Sequence, residues 1–163
     1  MTEQPLQMTP PAPLPYLQFG HLYVVPSLHS RLAFADLVRQ AFFALQPDAV
    51  AVELPATLEP SIRKGVERLP YLSVVGYQDY DEDMEEIQQI LPITPEDSLI
   101  EAVRLAMEAR VPLHFIDRDV IGHQSTPQRL PDDYLVRRIG LERYWQHTQA
   151  SLQAPESGSE DEA

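Results

Sequence analysis

The chain has no cysteine, which excludes a disulfide framework, a thiol nucleophile and any Cys-ligated zinc or iron–sulfur centre. No apolar run approaches the ~18 residues that a membrane-crossing helix requires. The opening residues, Met1-Thr2-Glu3-Gln4-Pro5-Leu6-Gln7, lack the basic start and apolar stretch of a secretory signal. A location in the cytoplasm and no membrane partner are therefore expected. Bases are scarce: 12 Lys and Arg stand against 25 Asp and Glu, for a net charge of −13. Such a surface repels phosphate backbones, so no nucleic-acid partner is expected either. Glycine is sparse at 6 of 163 residues, and no stretch matches a Walker loop, a GxGxxG turn, a GxSxG elbow or an HExxH helix.

What is present is enough apolar matter for a core, 44% of 163 residues, and a length that suits one domain. The acidity is local. Residues 78–97 hold 8 acids and no base, residues 98–150 balance 7 against 7, and the end of the chain from Ser151 adds 4 acids. Both acidic stretches read first as solvated surface, and second as a dock for a basic partner. Five prolines (Pro5, Pro10, Pro11, Pro13 and Pro15) mark residues 1–18 as an extended or disordered arm, because proline lacks the N–H that helices and ladders use. Residues 152–163 are small, polar and acidic, and read as a flexible tail or as a linker to a further segment. One α/β domain is expected between them, over residues 19–151.

Within that domain short apolar runs alternate with helical patterns. Residues 22–25 read as a strand, and residues 31–45 as a helix with Ala35, Val38, Phe42 and Leu45 on one face. Pro47-Asp48 turns the chain into a second strand over 49–54, taken to be buried on both faces. A short helix over 61–69 is stopped by Pro70, and residues 72–76 form a third strand. Met84, Ile87 and Leu91 share a stripe that predicts a short helix in the acidic stretch. Thr94 is expected to cap the next helix, with Pro95 at its first position and Asp97 completing a capping box. Residues 111–116 give a fourth strand, and residues 133–149 a helix interrupted near Gly140. The alternation predicts an open, mainly parallel sheet of at least four strands flanked by helices.

Polar residues gather where those strands end. His29 follows the first strand, Glu53 ends the second, and Asp117 and Asp119 end the fourth. The carboxyl ends of an open parallel sheet share one edge, and ligands bind in the crevice outside it. His29, Glu53 and Asp117 are the candidate catalytic residues, with Arg118, Asp119 and His123 as candidate binding residues at the same rim. A histidine with carboxylates can hold a divalent metal that lowers the pKa of a bound water, His29 and Glu53 being the candidate ligands. Alternatively, the two act as base and acid in a metal-free water attack. Glu53 has a structural reading too, as the ion-pair partner of Arg118. His114 is expected to be packed in mid-strand, and Tyr144 and Trp145 to serve the core or an interface.

Three blocks also resemble a known superfamily. Leu22-Tyr23-Val24-Val25-Pro26-Ser27-Leu28-His29 resembles the opening strand and Gly-x-x-His motif of the TraB/Tiki/erythromycin-esterase-like (ChaN-like) superfamily, with Pro26 standing where that motif has glycine. Pro47-Asp48-Ala49-Val50-Ala51-Val52-Glu53-Leu54 is similar to its second strand. Ala109-Arg110-Val111-Pro112-Leu113-His114-Phe115-Ile116-Asp117-Arg118-Asp119 is similar to its Asp-Arg strand. The blocks cover residues 22–119. The resemblance implies a hydrolase-like activity, metal-assisted in some members, on a small-molecule or peptide substrate. It makes His29 and Glu53 the active-site positions, with Asp117 and Arg118 at the third block. The other expectation is a non-catalytic binding or assembly module, which holds a protein partner or a second copy through the crevice or through residues 78–97.

Overall fold

The computed structural model describes residues 16–80, 86–117, 133–144 and 146. In chain order the elements are β1 (Leu17–Phe19), β2 (Leu22–Val24), α1 (Leu32–Leu45), β3 (Val50–Pro55), a 3-10 turn (Ala56–Leu58), α2 (Glu59–Val66), β4 (Ser73–Tyr80), β5 (Glu86–Ile93), α3 (Ser98–Ala109), β6 (Leu113–Asp117) and α4 (Asp133–Ile139). The protein is thus a mixed α/β structure. Among the described residues no helix is long and apolar enough to cross a membrane.

The elements form where local chemistry allows. Gln46 ends α1 in the left-handed region (φ 48°), and Pro47 cannot continue it. Pro60 lies in the first turn of α2, where its missing N–H is no loss. Gly20, at φ 62°, makes the tight turn between β1 and β2. Gly140, at φ 84°, closes α4 where the sequence predicted an interruption. Thr94-Pro95-Glu96-Asp97 behaves differently from the expectation. It is a β-turn, with Asp97 N–H bonded to the Thr94 carbonyl at 3.2 Å and proline at the second position, which that turn favours. The helix therefore starts three residues later than predicted, and Asp97 is its N-cap.

Strands β3 and β6 pair in parallel, Val50 opposite Leu113, Ala51 opposite His114 and Val52 opposite Phe115. One face of this pair (Val50, Val52, Leu54, Leu113 and Phe115) joins the main core with Ile62, Val66, Val75, Ile93, Ile100 and Val103. The other face, with Ala51, Glu53, His114 and Ile116, is exposed. Strand β3 is consequently buried on one face rather than on both, and His114 is not packed as expected. A second cluster joins Phe34 and Leu37 of α1 to Val136 of α4 and to Tyr144, whose ring meets Phe34 edge-on at 5.8 Å. Trp145 lies outside the described residues.

The expected open sheet differs from the ladders found. Among the described residues the strands form three two-stranded ladders, β1–β2, β3–β6 and β4–β5, of which β3–β6 alone is parallel. Strand β2 does not extend the β3 sheet. It pairs instead with Leu17–Phe19 across the turn at Gly20. Residues 86–93 are a strand, not a helix, and Met84 lies outside the described residues. Ile87 and Leu91 are four apart and satisfy both periods, but Ile93 continues the two-residue alternation, and every second residue from Glu86 to Pro92 is exposed.

Two features of the core give measurable consequences. A Cβ on Gly65 would sit 2.8 Å from Cγ1 of Ile93, a fully buried side chain with nowhere to move. Alanine's better helix propensity is about 1 kcal/mol, against about 1–3 kcal/mol for overpacking. Gly65→Ala should therefore lower the urea midpoint, and an unchanged or higher midpoint would show that Ile93 gives way. The second feature is Glu101 of α3, buried and held by Arg104 through two hydrogen bonds of 2.7 and 2.6 Å, with Arg39 of α1 at 3.5 Å. Glu101 first, then Glu108, hold the Arg104 guanidinium above its ordinary pKa. Glu101→Ala should cost roughly 2–3 kcal/mol, less than the 3–5 of a fully buried pair because Arg104 keeps Glu108. Arg39→Ala, removing a half-exposed partner, should cost less than about 1 kcal/mol by the same denaturation measurement.

Candidate functional site

Helix α3 leads into β6 through Arg110, Val111 and Pro112, and the two pack together. They therefore run antiparallel, which brings the start of α3 to the carboxyl edge of the β3–β6 pair. Glu53 and Pro55 reach this edge on β3, and Asp117 reaches it on β6, opposite Pro55 beyond a bulge in the register. Residues 25–31, which leave β2, arrive at the same place. His29 is thus held at the start of α3, although its strand belongs to a different sheet.

What holds His29 there is Asp97. Asp97 is buried, its side chain 5% exposed, and the two carboxylate oxygens divide the work. Oδ1 accepts the backbone N–H groups of Leu99 (2.9 Å) and Ile100 (3.2 Å), which caps α3. Oδ2 accepts the N–H of Ser30 at 3.0 Å and lies 3.1 Å from Nδ1 of His29. The next residue adds a second clasp: the Ser98 hydroxyl donates to the Leu28 carbonyl at 3.4 Å and pairs with the Ser27 hydroxyl. Ser30 sits in the left-handed region at φ 54°, unfavourable for a residue with a Cβ, and its N–H bond to Asp97 helps to hold it there. The His29 side chain is itself 62% exposed, so one edge of the ring is anchored while the rest meets solvent.

The charges follow from this arrangement. The hydrogen bond to Asp97 raises the His29 pKa above its ordinary value. Burial opposes the rise, and the negative charges of Asp97 and Glu53 add to it. Burial by itself would push the Asp97 carboxyl up, but the His29 hydrogen bond, the Ser30 and Ile100 N–H groups and the His29 charge outweigh it and hold the carboxyl below its usual value. The Glu53 charge is the last and smallest of the causes that act on His29. Asp117 stands at the end of the neighbouring strand. Arg118, Asp119 and His123 lie outside the described residues, as does Arg118 in its other role as a partner for Glu53.

Among the described residues no group of three or more His, Asp or Glu side chains is arranged to hold an ion. His29 spends Nδ1 on Asp97, and with Glu53 it offers two donors, short of the three protein ligands of a catalytic zinc. The residue that sequence reasoning missed is Asp97. It was visible as an acid ahead of an apolar helix, but nothing in the sequence links it to a histidine 68 positions away.

No family model, curated protein or solved structure matches this chain.

The linked shifts define a pH window. His29, raised, contributes stability that is complete below its unfolded value near 6.5 and is lost as pH rises through its folded value. Asp97, lowered, contributes stability that is complete above its unfolded value near 3.8 and is lost as pH falls through its folded value. The stability difference between wild type and His29→Ala should be largest between those two unfolded values, shrinking on either side. A difference that stays flat across a series of thermal melts from acid to alkaline pH would show that the pair is not formed in solution.

Proposed function

We propose that the chain is a hydrolase-like domain of the TraB/Tiki/erythromycin-esterase-like type, working by metal-free activation of water at His29. The observation that carries this reading is the imidazole of His29, anchored by Asp97 and facing solvent, with the Glu53 charge adding to its raised pKa. In the proposed step, Nε2 of His29 takes a proton from water as the water oxygen bonds to the scissile carbon. The imidazolium, stabilised by Asp97 and Glu53, then returns that proton to the leaving group as its bond to carbon breaks. Asp117, with Arg118, Asp119 and His123 beyond it in sequence, belongs to the substrate side of the rim in this proposal. The proposal keeps β3 and β6, the parallel pair among the described residues, as two strands of an open, mainly parallel sheet of at least four. The same proposal sets the domain in the cytoplasm, with a small-molecule or peptide substrate.

A second reading, a non-catalytic assembly module, draws on a different observation. Phe19, Leu22, Val74, Ile90 and Ile116 are each at least 60% exposed and all lie on strands. Exposed apolar strand faces are what a protein partner or a second copy would cover.

A panel of chromogenic esters, amides and phosphoesters separates the two. Turnover by the wild type that falls about 100-fold or more in His29→Ala, the lower end of what a general base contributes, supports the hydrolase. Glu53→Gln should lose part of that rate with little loss of stability, because Glu53 is exposed. Turnover that survives in His29→Ala overturns the assignment of the base. If calorimetric titration with divalent ions shows binding that His29→Ala abolishes, the reaction is metal-assisted instead. Absence of turnover together with concentration-dependent sedimentation favours assembly.

A further inference from the structure

The hydrogen-bond pattern around Asp97 says more about His29 than its position does. Asp97 receives backbone N–H groups from Ser30, Leu99 and Ile100, at 3.0, 2.9 and 3.2 Å. Three donors converging on one buried side chain need an acceptor at each oxygen, which the ionised carboxylate supplies and which leaves no proton for it to offer. The fourth group within reach is Nδ1 of His29, 3.1 Å from the oxygen that already accepts from Ser30. A bare ring nitrogen facing that oxygen would set two lone pairs against each other. Nδ1 must therefore carry hydrogen, in the neutral imidazole as well as in the charged one.

We propose that Asp97 is the positioning residue of this site: it holds the neutral His29 in the Nδ1–H tautomer, so that Nε2 is the basic atom presented to solvent. The tautomer is the one that free histidine disfavours, so the protein has to impose it. The support for the carboxylate is rigid. Asp97 begins a helix whose Ile100, Val103 and Ala106 are fully buried, and Ser98 is fully buried beside it. The support for the ring is equally local, because Ser98 clasps the Leu28 carbonyl and the Ser27 hydroxyl just ahead of His29. One carboxylate thus starts a core helix and orients a solvent-facing ring. Among the described residues, the charged groups whose fields act on the imidazole are Asp97, the N-cap of α3, and Glu53 on β3. Any catalytic consequence rests on the hydrolytic reading above, but the tautomer does not.

The experiment is long-range ¹H–¹⁵N correlation of the His29 ring at a pH where the imidazole is neutral, on the full chain. Wild type should show a protonated Nδ1 and a bare Nε2. Asp97→Asn is the informative variant. Asparagine caps a helix about as well as aspartate, so α3 should survive, but the amide NH2 that replaces Oδ2 can accept neither from Ser30 nor from Nδ1–H, and the released ring should return to the Nε2–H form that free histidine favours. Where a substrate is known, the same variant should lower kcat with KM little changed, the pattern of an interaction lost in the transition state. A wild-type ring protonated mainly at Nε2 overturns the proposal, and so does an Asp97→Asn ring that keeps the wild-type tautomer. If Asp97→Asn does not fold, the wild-type spectrum decides by itself. An Nδ1–H ring in a protein without hydrolytic turnover would leave the positioning role standing and remove the enzyme.

Discussion

Helix α3 carries the structure because it has contacts on nearly every side. Its residues Ile100, Val103 and Ala106 are fully buried, and α1, α2, β3 and β6 all pack against it. The polar atoms on such a helix have to be satisfied within the protein, and two acids do this at opposite faces of the problem. Asp97 closes its first turn, where unpaired N–H groups would otherwise be buried. Glu101 accepts from Arg104 and approaches Arg39, tying α3 to α1. Both acids have little access to water, so their surroundings are obliged to supply donors. His29 and Ser30 are two of those donors.

The fold was legible where one period dominated. The apolar run at residues 49–54 is strand β3, and the run at 111–116 is strand β6. They pair in parallel, as βαβ reasoning expects. The face that α1 buries was only partly legible: Ala35 is buried as predicted, but Phe34, Leu37 and Ala41 complete it, a small rotation from the stripe through Val38 and Phe42. Residues 86–93 were misread because Ile87 and Leu91 fit helix and strand alike, and pairing with β4 decides the matter. The partner of β2 was misread because a three-residue strand just ahead of it carries no periodic signal.

The site was legible in one dimension only. Strand ends pointed to His29 and Glu53, and the Glu53 charge is one of the causes that raise the His29 pKa. The residue that anchors the histidine did not stand out, since an aspartate ahead of a helix has an adequate explanation as a cap. Its second duty depends on a left-handed Ser30 and on the packing of α3, which are tertiary facts. Local pattern reports what a residue does for its own element. It is silent on what the same side chain does for another.

The length of chain between partners sets an order in time. Strands β4 and β5 are neighbours in sequence and can meet early, as can β1 and β2. Strand β3 must wait for β6, with α2, the β4–β5 hairpin and α3 lying between them. Closing longer loops costs only about 0.6 kcal/mol more per doubling, but non-local pairing slows folding far more than it weakens the product. The His29–Asp97 contact joins positions 68 apart and belongs to that late class. The anchored imidazole therefore depends on long-range contacts of the fold and not on its local hairpins.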